Sequence, residues 1–130
     1  MSAFDVTFRT RFVHGLGVLD RLGELVRGLG GTRVLLVTDP GVRAAGHADR
    51  AVSTLERSGL AIEFFDAVKP NPDANDVDAC AARIRAFGAD ALVGLGGGSA
   101  IDTAKGGNFV ATNGGRIHDY WGHPKATKPM

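Results

Sequence analysis

Three short apolar-rich segments limit what this chain can fold into: the continuous apolar run Val34-Leu35-Leu36-Val37, then Ala61–Phe65 and Ala91-Leu92-Val93. Each is too short for a helix and reads as a strand buried on both faces, the pattern of a parallel sheet. Between them lie helical faces. Val18, Leu22, Leu25, Val26 and Leu29 form one, closed by Gly28, Gly30 and Gly31. Ala48, Ala51, Val52 and Leu55 form a second, stopped at Ser58-Gly59. Val77, Cys80, Ala81, Ile84 and Phe87 form a third, with Asp73 or Asn75 as N-cap and Gly88 as C-cap. A fourth helix runs from about Ser99 to Ala111. The alternation predicts an α/β domain: a doubly wound, open parallel sheet with strands near 34–38, 61–65 and 91–95 and right-handed crossovers. Thr38-Asp39-Pro40-Gly41 reads as a turn. Phe4, Val6 and Phe8 alternate with polar residues as a further short strand, with Arg11–His14 as its return. From Thr112 the chain reads as loop, so the domain is expected over 1–112 and a connecting tail over 113–130.

The third run leads into chemistry. Leu92-Val93-Gly94-Leu95-Gly96-Gly97-Gly98-Ser99-Ala100-Ile101-Asp102-Thr103-Ala104-Lys105 is a strand passing through three glycines directly into a helix. Glycine lets backbone turn sharply and approach a ligand closely. The first N–H groups of the helix are unpaired and its dipole places positive partial charge there, so a pyrophosphate fits. Neither common phosphate motif matches. Ser99 stands where the third Gly of G-x-G-x-x-G would be, and Lys105 lies too far into the helix for a P-loop. The structural alternative is a tight turn with Ser99-x-x-Asp102 as a capping box. Asp39, at the end of the first strand, can accept hydrogen bonds from ribose hydroxyls or serve as a turn or N-cap residue. Asn71, between Pro70 and Pro72, is either a ligand contact or a rigid turn residue.

Composition removes other classes. Of 130 residues 44% are hydrophobic and 22% charged, and Lys plus Arg exceed Asp plus Glu by only 15 − 14 = 1. That is a globular balance without the basic surplus of a nucleic-acid binder. No apolar run approaches a membrane span, no signal peptide opens the chain, and the single Cys80 excludes an intrachain disulfide. A cytoplasmic protein is expected. Cys80 falls on an apolar helix face as a small core residue. His118, Asp119 and His123 could in principle bind a metal but read as a solvated loop, and His14 and His47 stand apart. Tyr120-Trp121 is expected to pack back on the domain or on further chain.

Gly96-Gly97-Gly98-Ser99-Ala100-Ile101-Asp102-Thr103-Ala104-Lys105 resembles the GGGSxxDxAK motif of iron-containing (group III) alcohol dehydrogenases. Val37-Thr38-Asp39 is similar to their strand-end Asp. Val68-Lys69-Pro70-Asn71-Pro72 resembles their V-x-P-N-P loop, and Phe12–Gly17 their F-G-x-G entry. The resemblance runs in family order along essentially the whole chain. It implies a Rossmann-like dinucleotide domain, incomplete relative to the family, in an NAD-dependent oxidoreductase acting on a small alcohol or aldehyde. Asp39 would hold the adenosine ribose and disfavour NADP, and Asn71 would lie near the adenine. Gly97, Gly98 and Ser99 would hold the pyrophosphate, and Asp102 would lie near the nicotinamide ribose. The family's iron, or another divalent metal, is held by Asp and His side chains in a helical C-terminal domain with no counterpart here, so no catalytic or metal-binding residue is assigned. A non-catalytic nucleotide-binding module and an inactive truncated product are the competing readings. The chain alone is expected to bind dinucleotide weakly, not to turn over alcohol, and to self-associate through an open sheet edge, giving a possible homo-oligomer.

Overall fold

The computed structural model describes residues 10–122 and 127–128. After a 3-10 turn at Val18–Arg21 the elements run α1 (Leu22–Gly28), β1 (Arg33–Thr38), α2 (Pro40–Ala44), α3 (His47–Arg57), β2 (Ala61–Phe65), α4 (Ala74–Phe87), β3 (Ala91–Leu95) and α5 (Gly98–Asn113). The sheet is parallel throughout, in the order β2-β1-β3. This is the α/β arrangement the three apolar runs predict.

β1 is central and carries the core. Val34, Leu35, Leu36 and Val37 are fully buried, each contributing about 1.5–3 kcal/mol by leaving water. Leu35 and Val37 face Cys80, Ile84, Ala100 and Ala104 of α4 and α5. Val34 and Leu36 face Val26, Ala48, Ala51 and Leu55 of α1 and α3. Helices therefore cover both faces. α4 and α5 meet closely because α5 offers no side chain there: a Cβ on Gly107 would stand 2.7 Å from the Cys80 sulfur. At the other end of the sheet, the Asp90 carboxylate accepts the Thr32 and Arg33 amides at 2.8 Å and the Thr32 hydroxyl. These bonds pin the start of β1 to the approach to β3.

Several expectations are corrected. β2 and β3 are half-exposed rather than buried on both faces, because among the described residues each pairs only with β1. Arg11–His14 has no strand structure, and its proposed partner at Phe4–Phe8 lies outside the described residues. The segment read as a turn at Thr38–Gly41 instead opens α2. Asp39 is its N-cap and accepts the Val42 amide at 2.9 Å, with Pro40 at the first helical position. The region after Thr112 is not all loop. α5 continues to Asn113, and Ile117–Tyr120 forms a 3-10 turn. That turn is held to α4 by Asp78, which accepts the Ile117 amide and pairs with Arg116, both at 2.9 Å. Tyr120 packs edge-on against Phe109 with centroids 4.8 Å apart, whereas Trp121 stays exposed. No helix among the described residues is long and apolar enough to cross a membrane.

Candidate dinucleotide cleft

The strand order places a crevice at the carboxyl ends of β1 and β3. After β1 the chain turns to the α1/α3 face, and after β3 it turns to the α4/α5 face, so the two exits diverge. Ligands of open α/β sheets lie at such a point. The Thr38 hydroxyl donates to the Leu95 carbonyl at 2.8 Å and ties the two strand ends together beneath the crevice.

All six residues singled out in the sequence line this region, in two adjoining recesses. A cleft of about 430 Å³ is lined by Asp39, Pro40, Gly41, Val68, Lys69, Pro70, Gly97, Gly98 and Ser99. A second, of about 560 Å³, is lined by Asn71, Pro72, Val77, Gly98, Ser99 and Asp102. Gly98 and Ser99 are common to both, so the start of α5 forms the ridge between them. Asn71 shares its recess with Asp102 and not with Asp39.

The glycines divide into two groups. Gly94 lets α5 pack onto β3, since a Cβ there would meet Ala104 Cβ at 3.4 Å and the Ile101 backbone at 3.3 Å. Gly96 has φ +147°, a conformation that side chains oppose, and its Cβ would stand 3.1 Å from Asp39 Oδ2. The backbone conformation therefore calls for glycine at position 96, while Gly94 eases the close packing of α5 on β3. Gly97 and Gly98 differ: an added Cβ would meet no protein atom within 4 Å, and neither has a positive φ. Nothing within the described chain accounts for the missing side chains there.

The capping-box alternative does not hold. Gly97 is the N-cap of α5, extended at φ −80°, ψ −166°, with no side-chain cap bond. Ser99 is thus the second helical residue, too far in to cap, and its own carbonyl accepts the Thr103 hydroxyl at 2.8 Å. The N–H groups of Gly98, Ser99 and Ala100 keep no intrahelical partner. Asp39, by contrast, takes the N-cap role expected of it. Oδ1 caps α2, while Oδ2 lies beside the glycine loop.

The opposite wall is the loop 69–73. Asn71 has φ +52°, the one described non-glycine residue with positive φ. Asn tolerates that conformation better than most residues, and Pro72 disfavours the right-handed alternative. Asp73 caps α4 through the Asn75 and Asp76 amides, and Asp76 returns the bond by accepting the Asp73 amide at 3.0 Å. Lys69, which the sequence reading passed over, lines the first cleft and pairs with Asp76 at 2.7 Å. Only its place beside Pro70 and Asn71 hinted at a role.

Cys80 is no nucleophile, since burial raises its thiol to about 11. Among the described residues no group of three or more His, Cys, Asp or Glu could hold a metal ion. His118 and Asp119 are exposed, and His123 lies outside the described residues.

A parallel sheet ordered β2-β1-β3, with a glycine turn and a helix start at its diverging strand ends, defines a Rossmann-like α/β domain. A sequence model of the iron-containing alcohol dehydrogenase family matches residues 9–130, and the chain belongs to that family. It is 37% identical over 130 residues to alcohol dehydrogenase 4 of Schizosaccharomyces pombe, covering all of this chain and 30% of that protein. It is 36% identical to 1,3-propanediol dehydrogenase of Klebsiella pneumoniae over 98% of this chain and 33% of that protein. The crystal structure of NADH-dependent butanol dehydrogenase A from Thermotoga maritima superposes with a TM-score of 0.87 at 30% identity, covering 93% of this chain and 31% of that one. Sulfoacetaldehyde reductase from Bifidobacterium kashiwanohense, solved in complex with NAD+, gives 0.76 at 30% identity over 85% of this chain and 29% of that one. The chain thus spans roughly a third of the length of these relatives.

Proposed function

We propose that the paired recesses hold NAD(H), and that the chain is the nucleotide-binding part of an enzyme interconverting alcohols and aldehydes or ketones. The observation that carries this is the unexplained openness at Gly97 and Gly98, where the fold tolerates a side chain and the sequence has none. A diphosphate approaching the Gly98–Ala100 amides needs that space. In this reading Gly97, Gly98 and Ser99 hold the pyrophosphate. Asp39 accepts bonds from the adenosine ribose through Oδ2, which accepts no hydrogen bond from the described residues. Asp102 receives the nicotinamide ribose. Asn71 shares the Asp102 recess, so we assign it to that end and not to the adenine.

NAD(H), when bound, supplies the hydride chemistry, and the chain's own residues bind and orient it. The described residues offer no ligand set for the metal in the family's name, so no step is assigned through it. The substrate class rests on relatives named for alcohol, propanediol and butanol dehydrogenases. NAD is preferred over NADP because a 2′-phosphate beside Asp39 would bring like charges together. A titration of the 15N-labelled chain with NAD+ tests the reading. Saturable shifts centred on Gly97–Ala100 and Asp39 are expected, with Asp39→Gly relaxing the preference for NAD+ over NADP+. Spectra unchanged at millimolar NAD+ would overturn it.

A further inference from the structure

The first recess is lined by two charged side chains, Asp39 and Lys69, and they are not equally available. Asp39 Oδ1 takes the Val42 amide, and Oδ2 stands open beside Gly96. The Lys69 ammonium lies 2.7 Å from Asp76 Oδ1. Asp76 Oδ2 accepts the Asp73 amide, so the carboxylate is fixed from both sides, and its side chain is only 10% exposed against 65% for Lys69. Capping α4 requires an acceptor at position 76 but not a charge. The next cation along the chain from Asp39 is committed elsewhere: Arg43 pairs with Asp66 and stacks on Phe64, its guanidinium 4.6 Å from the ring centroid. Each partner holds the other charged, with the Lys69 pKa raised and the Asp76 pKa lowered, chiefly by their mutual hydrogen bond.

We propose that the Lys69–Asp76 pair is a specificity-determining element of the cleft. Asp76 keeps the ammonium engaged with the first turn of α4, so the Asp39 carboxylate is left uncompensated and adenosine bearing a 2′-phosphate is disfavoured. This rests on the reading of the recess as a dinucleotide site. Lys69 is a point charge on a flexible stem. Once released, it can move toward a phosphate beside Asp39.

Asp76→Asn retains a carbonyl acceptor for the Asp73 amide and removes the charge that holds Lys69. NMR titrations with NAD+ and NADP+ should show the NADP+/NAD+ affinity ratio rising about five-fold in Asp76→Asn, the scale of one partly exposed ion pair. Lys69→Met should lower the ratio, because Asp76 then stands uncompensated near the cleft. The double variant should return it close to that of the unmodified chain. Lys69 is exposed, so Lys69→Met keeps the proposal testable if Asp76→Asn fails to fold. A ratio unmoved by any variant overturns the proposal while NAD+ binding itself upholds the dinucleotide site. Equal strengthening of both cofactors in Asp76→Asn also overturns it, by assigning Lys69 to the pyrophosphate. A gain that survives in the double variant overturns the role of Lys69. If neither dinucleotide binds any variant, the site reading falls and the proposal with it.

Discussion

Gly98→Ala separates what the fold needs from what a ligand needs. Position 98 is the first residue of α5, and a Cβ there meets no protein atom within 4 Å. Replacing glycine by alanine in a helix gains roughly 0.5–1 kcal/mol from lost unfolded-state freedom, and less at the first turn. The melting temperature should therefore stay level or rise by about 1–4 °C. Binding should move the other way. On the proposed dinucleotide reading, the methyl group would occupy the space through which a diphosphate oxygen would reach the Ser99 and Ala100 amides. Losing one hydrogen bond to a charged group costs about 1.5–3 kcal/mol, which is roughly a 10- to 150-fold rise in Kd for NAD+. Gly96→Ala is the contrasting control. With φ +147° and a Cβ 3.1 Å from both Asp39 Oδ2 and Ala100 Cβ, it should lose about 1–3 kcal/mol of stability. Circular-dichroism melts and NMR titration read the two quantities independently. An unchanged Kd in a well-folded Gly98→Ala chain would refute the assignment of this glycine to a ligand.

Three more expectations follow from the packing and the charges. Gly107→Ala places a Cβ 2.7 Å from the Cys80 sulfur and 3.2 Å from Ile84 Cδ1. Overpacking of about 1–3 kcal/mol outweighs a helix-propensity gain of about 1 kcal/mol, so denaturant melts should show a loss, and a gain would contradict the close approach. Asp90 is held below the usual aspartate range by the Thr32 hydroxyl and the Arg33 and Thr32 amides. Its contribution is present above the unfolded-state pKa and disappears as pH falls through the depressed folded-state value. Asp90→Asn should therefore flatten the acid limb of stability against pH, and an identical limb would show that the carboxylate does not matter. The Cys80 thiol, pushed up to about 11 by burial, should react with a disulfide reagent at pH 8 only as the chain unfolds. Rapid labelling of the native chain would count against that burial.

The three strands were legible because each is a short apolar-rich segment bounded by turn residues. Their different degrees of burial were not: Ala91-Leu92-Val93 is as apolar as Val34–Val37, yet among the described residues it is flanked on one side and Val34–Val37 on both. Asp39-Pro40-Gly41 carries turn signals, and the same residues also start a helix, since Asp caps and Pro favours the first position. For the glycine turn, the residue types were readable but the division of labour was not, because it depends on which atoms stand near each α-carbon. Ser99-x-x-Asp102 had the spacing of a capping box, but the helix begins at Gly98, so the register is wrong for one. Lys69 escaped notice because its partner, Asp76, becomes its neighbour only through the bend of the Pro-Asn-Pro loop. The same holds for Arg116, which meets Asp78 across 38 residues of sequence.

The close contact of α4 with α5 reaches further than core packing. Both helices begin at the cleft, one after the loop that bears Lys69 and Asn71, the other at Gly97. Val77 against Gly106 and Cys80 against Gly107 set how near their axes lie. The pair works as the two jaws of a caliper whose stop is made of glycine α-carbons. The gap between the Pro-Asn-Pro loop and the glycine turn is thus gauged largely from within the hydrophobic layer, where Cys80, Gly106 and Gly107 line neither recess. Any substitution that thickens this stop should widen the jaws, and its effect would surface as altered grip at a place two turns of helix away.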